Sequence, residues 1–399
     1  MASDEQRLVS SRSSLVTRHS SLVALCLLLF AAVILRFAWL SDDAYITFRV
    51  VDNAAAGLGL RWNPAERVQG YTHPLWFLML LAGRLLTGEL YYTAIVLSVA
   101  LSVAAVALLG FRLRAAPVAV VLALLVLTLS RAFIDYATSG LENALSHLLL
   151  AAFLVVWFRQ ASDELRVTSD EFRNGEHHPS PPTRRLLLLS FLAALLALNR
   201  LDALLLVLPA LGWALWQRRS ARAGGLVALG FLPLVAWTLF SLFYYGFPFP
   251  NTAYAKLATG IPAADLARQG VTYLLNSLRW DPLTLTATVA AVVVVVVRRW
   301  NGGFVVAAGI VLYLLYVINI GGDFMSGRFL TLPLLAAVAL LLAITSDAAR
   351  LVTIHLTPRL AAVLAALVIV LAAAGHLPVL LAGSPTGPPP PRAGPLSHY

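Results

Sequence analysis

The sequence is nearly without cysteine and lysine, and it is poor in charge of either sign. Cys26 is the sole cysteine, which excludes disulfides and cysteine-based metal sites. Lys256 is the only lysine, so the positive charge is carried almost entirely by arginine. Charged residues make up 12% of the chain, and the 29 basic residues, set against 19 acidic ones, are scattered in short clusters. A contiguous basic patch of the kind that holds nucleic acid is therefore missing, and no nucleic-acid partner is expected. Ten-residue segments of alternating polarity are also missing, which excludes an outer-membrane barrel. What fills the chain instead is apolar: 60% of its 399 residues are hydrophobic, with a mean hydropathy of +0.82. Apolar stretches of about 20 residues recur, so the expected fold class is an all-α polytopic membrane protein.

Loop charge sets the expected topology. Arg7, Arg12 and Arg18 precede the first apolar segment and place the N-terminus, 1–20, in the cytoplasm. Residues 21–40 contain Arg36 and run into Asp42-Asp43 without a small-residue cleavage site, so they read as an uncleaved span rather than a signal peptide. Residues 75–87 are apolar but short and interrupted by Gly83 and Arg84. If they lie in the interface, every later arginine cluster falls inside; if they cross, every one switches outside. The interfacial reading is preferred. Spans then fall near 21–40, 91–111, 117–133, 142–158, 186–199, 202–217, 224–244, 282–297, 303–319, 329–345 and 360–382, about eleven crossings. In this scheme 21–382 is one transmembrane domain, 41–90 the first outer loop with its interfacial helix, 159–185 a mobile cytoplasmic linker, and 383–399 a disordered Pro-rich tail.

With that topology the unusual polar segments all fall on the outer face. They are 41–74, 134–143, 245–281 and 321–328, joined by Arg200 and Asp202 between two short spans. A transporter more often places such groups near the bilayer midplane in broken helices. Clustered at a membrane surface, these residue types suit transfer of a sugar from a polyprenyl-phosphate. That reaction needs a carboxylate near the acceptor hydroxyl, here Asp43 or Asp42. It needs cations for the departing phosphate, with Arg328, Lys256, Arg200 and Arg49 as candidates. It also needs aromatic and amide groups for the sugar, such as Tyr45, Trp62, Tyr71, His73, Trp76 and Tyr254. A flippase or carrier of lipid-linked sugars, with no covalent chemistry, is the alternative.

Each of these residues also has a plainer role open to it. Adjacent acids at a membrane exit can simply end a helix in water, although an ionisable cluster there is a site by default. Glu142 opens a helix, where an acid also favours the positive end of the dipole. Arg200 and Asp202 can pair with each other, and Arg328 and Lys256 can reach lipid headgroups. Gly57 and Gly59 follow no strand and fit turn geometry rather than a nucleotide fingerprint. A divalent cation at Asp42/Asp43 with Glu142 is an open alternative, since paired carboxylates suit Mg²⁺, Mn²⁺ or Ca²⁺; no cofactor is otherwise expected.

A series of motifs carries a resemblance. Asp42-Asp43-Ala44-Tyr45-Ile46-Thr47-Phe48-Arg49, Asn53, Gly57-Leu58-Gly59-Leu60, Trp62-Asn63-Pro64, Glu66-Arg67-Val68 and Gly70-Tyr71-Thr72-His73-Pro74-Leu75-Trp76 come first. Thr138-Ser139-Gly140-Leu141-Glu142, Asn199-Arg200-Leu201-Asp202, Pro250-Asn251-Thr252, Ala255-Lys256, and Gly321-Gly322-Asp323-Phe324-Met325 with Gly327-Arg328-Phe329 follow in order. Together they resemble the GT-C class of glycosyltransferases, and within it the bacterial terminal β-(1→2)-arabinofuranosyltransferase-like proteins. The resemblance implies a GT-C-like helical bundle in the bacterial inner membrane, with its site facing the periplasm or cell exterior. It implies a polyprenyl-phosphate sugar donor, a glycan or lipid acceptor, an acidic catalyst in the first outer loop, and an interfacial helix after that loop. The residues it carries into the site are Asp43, Asp42 and Glu142 as acids, and Tyr45, Arg49, Asn63, Tyr71, His73, Trp76, Arg200, Asn251, Lys256, Asp323 and Arg328 around the substrates. His73 stands where such relatives often carry Asn, and the relatives continue into a soluble outer domain.

Overall fold

The structure is a computed structural model that describes residues 20–113, 115–174, 183–251, 253–254, 260–346 and 357–375; at 160–174, 183 and 358 it describes the backbone alone. Among these residues it is all-α, with one isolated bridge between Ala115 and Ser346 and no strand. The N-terminal segment, Lys256, most of the Pro-rich tail's approach and the tail itself lie outside the described residues, as do His177 and His178.

In chain order the helices are α1 (Ser20–Arg36), α2 (Asp42–Ala55), α3 (Pro74–Thr87), α4 (Tyr91–Arg112), α5 (Pro117–Leu129), α6 (Arg131–Ala137), α7 (Asn143–Asn174), α8 (Thr183–Asn199), α9 (Leu204–Arg218), α10 (Ala221–Gly230), α11 (Leu232–Tyr245), α12 (Ala263–Trp280), α13 (Pro282–Val297), α14 (Asn301–Asn319), α15 (Thr331–Ile344) and α16 (Pro358–Gly375). The core is built around α15, which is buried along almost its whole length and packs on α5, α7, α13 and α14. A helix apolar all round belongs inside a large helical assembly. The outward faces are apolar too: Leu86 and Phe243 are each 87% exposed, and Leu28, Leu239 and Val297 project likewise. So much exposed hydrocarbon matches a lipid-facing surface.

Several expected elements take a different form. The first apolar helix stops at Arg36, four residues short of the expected boundary at 40, and Asp42-Asp43 open a new helix instead of ending the old one. The reason is local. Ser41 caps α2, its side chain accepting from the Ala44 amide at 3.3 Å, and two acids in the first turn favour the positive end of the helix dipole. The segment 245–281, expected on the outer face, contains α12, an amphipathic helix that buries Gly270, Tyr273 and Ser277 along one stripe. The first half of the expected cytoplasmic linker continues α7 to Asn174, because no helix breaker intervenes before Gly175 and Pro179.

Among the described residues, only α4 and α14 are individually long and apolar enough to cross a membrane. Three bent pairs pass the same test taken together: α5/α6 with a bend of 72°, α10/α11 with 54° and α12/α13 with 110°. Shorter apolar helical segments, among them Asn143–Arg159 of α7 and Arg359–Gly375 of α16, have 10–17 residues, below the roughly 20 that a bilayer core requires.

Close backbone approach fixes one helix crossing. A Cβ on Gly309 of α14 would collide with the carbonyl oxygen of Leu206 on α9, whereas Gly212 on α9 has open space. Gly309→Ala is expected to cost about 1–3 kcal/mol through overpacking. Gly212→Ala should be neutral or slightly stabilising, since alanine favours a helix. Thermal unfolding of the two variants in detergent measures the difference; equal midpoints would contradict the crossing.

Candidate active site

The site grows from a knot at Gly140. Its φ of +75° suits glycine, and a Cβ there would meet Leu40 at 2.7 Å and Ala44 at 2.9 Å. That closeness lets the start of α2 lie against residues 138–142. The Ser41 amide donates to the Ser139 carbonyl at 2.9 Å, and the buried Trp76 indole donates to the Gly140 carbonyl at 2.9 Å. Three segments distant in sequence are thereby joined: the start of α2, the start of α3 and the start of α7.

Glu142 lies at their meeting point, one residue ahead of α7 and 3% exposed. The Arg328 Nη2 donates to its Oε1 at 3.1 Å and Oε2 at 3.3 Å, and the Arg200 Nη1 lies 3.6 Å from Oε1. His73 Nδ1 is 3.4 Å from Oε2, while its Nε2 is 2.8 Å from the Thr47 hydroxyl. Arg328 reaches outward through Nη1 to Asp323 at 3.4 Å and to Asp43 at 3.9 Å. Arg200 is held from behind: its Nε donates to Asp202 at 3.0 Å, its Nη2 donates to the Tyr313 hydroxyl at 3.1 Å, and its guanidinium lies 4.5 Å from the Phe329 ring centre. The Tyr313 hydroxyl donates in turn to Asp202 at 2.8 Å. Asn199 donates to the Glu142 carbonyl at 2.9 Å and to the Ser146 hydroxyl at 2.8 Å, which ties the end of α8 to α7.

The loop carrying Asp323 and Arg328 is shaped by glycines. Gly322 has a φ of +74°, and a Cβ there would press on the Tyr273 ring; Gly327 has a φ of +80° and lies against Ala132. The Tyr273 hydroxyl accepts from the Phe329 amide at 3.2 Å and is 3.3 Å from the Met325 carbonyl, clasping the loop to α12.

Electrostatics follow from burial. Burial lowers the His73 imidazole to about 4, with Glu142 opposing the shift and Arg328 and Arg200 adding to it. A neutral ring then donates through Nδ1 towards Glu142 and accepts from Thr47 at Nε2. Burial pushes the Glu142 carboxyl up, but Arg328, His73 and Arg200 outweigh it and bring the group down to about 2. With His73 neutral at ordinary pH, the two guanidiniums keep Glu142 ionised. Both shifts have the same consequence in acid. From pH 6.5 down to 4 the unfolded chain takes up a proton on His73 that the folded chain does not. From 4.5 down to 2 it does so at Glu142. His73 is therefore expected to cost stability as pH drops below about 6.5, so His73→Gln should lose less stability over that range than the unaltered protein. Unfolding midpoints of both proteins in detergent between pH 7.5 and 4.5 test this; equal declines would contradict a buried neutral His73.

The expected site residues separate into three groups. Asp43, His73, Glu142, Arg200, Asp323 and Arg328 converge on one centre. Asp42 is exposed beside it and accepts from the Asp43 amide at 3.0 Å. Arg49 and Asn63 join each other instead, at 3.0 Å, with the Arg49 guanidinium 4.6 Å from the Trp62 ring centre; they clasp the 56–73 stretch to α2. Tyr71 and Trp76 are buried: Tyr71 stacks on Phe77 at 4.2 Å, and its hydroxyl lies 3.1 Å from that of Tyr245. Tyr45 is exposed and meets Phe48 edge-on. Asn251 follows the turn after α11, its side-chain oxygen buried without a hydrogen-bond partner. Lys256 lies outside the described residues.

Sequence reasoning missed Thr47, Tyr313 and Tyr273. A tyrosine inside an apolar helix is a usable signal for such partners, since a buried hydroxyl needs something to bond. The divalent-cation alternative that used Glu142 does not fit the donor set, because both Glu142 oxygens face cationic side chains. Among the described residues no three His, Cys, Asp or Glu side chains gather as a metal site.

A helical body with apolar outer faces, closed at one end by a buried carboxylate between two arginines, defines a membrane-type helical protein with a polar site at its helix ends. Comparison with known proteins is more specific. Over 347 residues the chain is 31% identical to a Mycobacterium tuberculosis protein named terminal β-(1→2)-arabinofuranosyltransferase, a match covering 75% of this chain and 52% of that one. Over 333 residues it is 30% identical to a Corynebacterium glutamicum protein of the same name, covering 75% and 47%. The chain is thus similar to arabinofuranosyltransferases, as its motifs indicate, and it spans about half the length of these curated relatives. No family model matches the chain, and no solved structure matches it.

Proposed function

We propose that the protein is a GT-C-type membrane glycosyltransferase that transfers a sugar, arabinofuranose or a related one, from a polyprenyl-phosphate donor to a cell-envelope glycan or lipid. The observation that carries this reading is the placement of Asp43, about one-third exposed, at the open edge of the buried Glu142–Arg328–Arg200 centre. In the reaction the acceptor oxygen bonds to the anomeric carbon as the bond from that carbon to the phosphate oxygen breaks. The electron pair leaves with the phosphate, and the acceptor's proton passes to Asp43, the general base. Asp42 is its nearest substitute.

Arg328 neutralises the leaving phosphate, with Arg200 fixed behind it. Arg328 Nε and Arg200 Nη1 are buried donors without a hydrogen-bond partner, which supports an anionic visitor. The described centre sets two arginines against Glu142, Asp43, Asp202 and Asp323, so further positive charge is needed; Lys256 is the residue we infer supplies it. Glu142 holds the two arginines in place. The exposed Tyr45 and the half-buried Asn251 complete the sugar contacts in this reading.

The donor's lipid runs along the apolar outer faces. We infer that the helices make about eleven crossings of a bacterial inner membrane, α3 lying in the interface and the site facing outward. The test is transfer of labelled sugar from polyprenyl-phosphate pentoses and hexoses by the purified full chain in detergent. A transferred product with at least one donor is expected. Movement of donor across proteoliposomes without any product would overturn the reading in favour of a flippase.

A further inference from the structure

A second polar cleft opens beside the first and is used by none of the steps above. It has a cavity volume of about 90 Å³, is partly open to solvent, and is walled by Trp39, Arg131, Asp135, Tyr136, Ser277 and Trp280. It lies at the same end of the helices as the Glu142 centre. Trp39 shortly precedes Asp43, Asp135 and Tyr136 shortly precede Glu142, and Ser326 and Gly327 on its rim adjoin Arg328.

Its construction is that of a binding site. Trp39 is fixed by its indole N–H, which donates to the Asp135 carbonyl at 2.7 Å, and it remains 36% exposed. Trp280 is fixed by the Arg131 guanidinium, 4.9 Å from its ring centre. The Asp135 carboxylate is 38% exposed and 3.5 Å from Arg131 Nε. Two buried polar atoms on this wall have no hydrogen-bond partner: Ser277 Oγ, in a residue 2% exposed, and Arg131 Nη1. Buried polar groups are nearly always satisfied, so such atoms point to a polar occupant.

The chemistry narrows that occupant. The remaining acid, Asp281, is consumed internally, accepting from the Ala132 amide at 2.9 Å and from Ser130 and Thr284. One arginine against two acids gives no surplus positive charge for a phosphate. Flat aromatic walls with a carboxylate, a hydroxyl and a guanidinium N–H at their edges suit a neutral polyol, whose C–H faces lie on rings and whose hydroxyls both donate and accept. We propose that this cleft is a saccharide subsite that holds the acceptor glycan next to the transfer centre, with Asp135 and Ser277 bonding its hydroxyls and Trp39 and Trp280 covering its ring faces. This rests on the transferase reading above.

The experiment measures transfer to a synthetic arabinofuranosyl trisaccharide by the full chain in detergent, varying donor and acceptor separately. For Asp135→Asn and for Trp280→Leu the acceptor KM is expected to rise about tenfold, with kcat and the donor KM unchanged. Trp280→Phe should recover most of the loss, because it keeps a ring face. An unchanged acceptor KM in both loss variants, or a rise in donor KM instead, overturns the subsite. If the unaltered protein transfers to no acceptor, the transferase reading fails. Saturation-transfer NMR with the same trisaccharide then judges the cleft alone: binding that Trp280→Leu abolishes supports it, and no binding to the unaltered protein overturns it.

Discussion

Asp43→Asn is expected to lower sugar transfer by about 10²–10⁴-fold, the usual contribution of a positioned general base. The unfolding midpoint should stay within about a degree or two, because substitutions at partly exposed positions usually shift stability by under about 0.5 kcal/mol. The side chain is one-third exposed and its 3.9 Å approach to Arg328 is the longest ion pair of the centre. Asp42→Asn should lose far less: Asp42 faces solvent and its carboxylate accepts from the neighbouring Asp43 amide. Rates with labelled donor, read beside melting curves for the same preparations, separate the two acids. Equal losses from both substitutions, or transfer surviving Asp43→Asn, would remove Asp43 from the role of base.

Glu142→Ala is expected to act on the fold itself, at a cost of about 3 kcal/mol, because it removes the carboxylate shared by two buried guanidiniums and leaves their Glu142-facing donors unsatisfied, although Asp202, Asp323 and Asp43 remain as counter-charges. Set against a total stability of about 5–15 kcal/mol, that is a large share, and much of the variant should fail to extract as a folded monodisperse species. Arg328→Lys makes the complementary case. The ammonium keeps the charge but not the two-pronged geometry by which Arg328 spans both Glu142 oxygens at 3.1 and 3.3 Å while reaching Asp323. The lysine variant should therefore fold while transfer falls at least about tenfold. Size-exclusion profiles and transfer rates measured together test both; a well-folded Glu142→Ala protein would mean that Asp202, Asp323 and Asp43 suffice as counter-charges for Arg200 and Arg328.

The two acids at 42 and 43 show how far residue types carry an argument. Their oddity is visible in the chain, and so is the grouping of Asp323, Arg328, Arg200 and His73 into polar breaks between apolar runs. The sorting of these residues is not visible. Arg49 looks as good a phosphate ligand as Arg328 until Asn63 and Trp62 are seen to occupy it. Tyr71 and Trp76 look like sugar platforms until packing encloses them. The short helices are a second case. Apolar runs of 14–17 residues read as spans, yet whether two such runs join into one bent element depends on the turn between them, such as the 72° bend between α5 and α6.

By itself, then, the amino-acid order determines the class: long apolar runs with scattered arginines can bury their backbone polar groups only as helices, and the motif series sets the likeness to arabinofuranosyltransferases. Tertiary structure alone decides which charges meet. Glu142, Arg200 and Arg328 are far apart along the chain and are brought into contact only because α7, α8 and the loop before α15 end at one place. Gly140, which admits Leu40 and Ala44 within 3 Å of where its Cβ would stand, lets Asp43 reach them. Ion pairing depends steeply on distance and burial, and neither can be read from spacing in sequence.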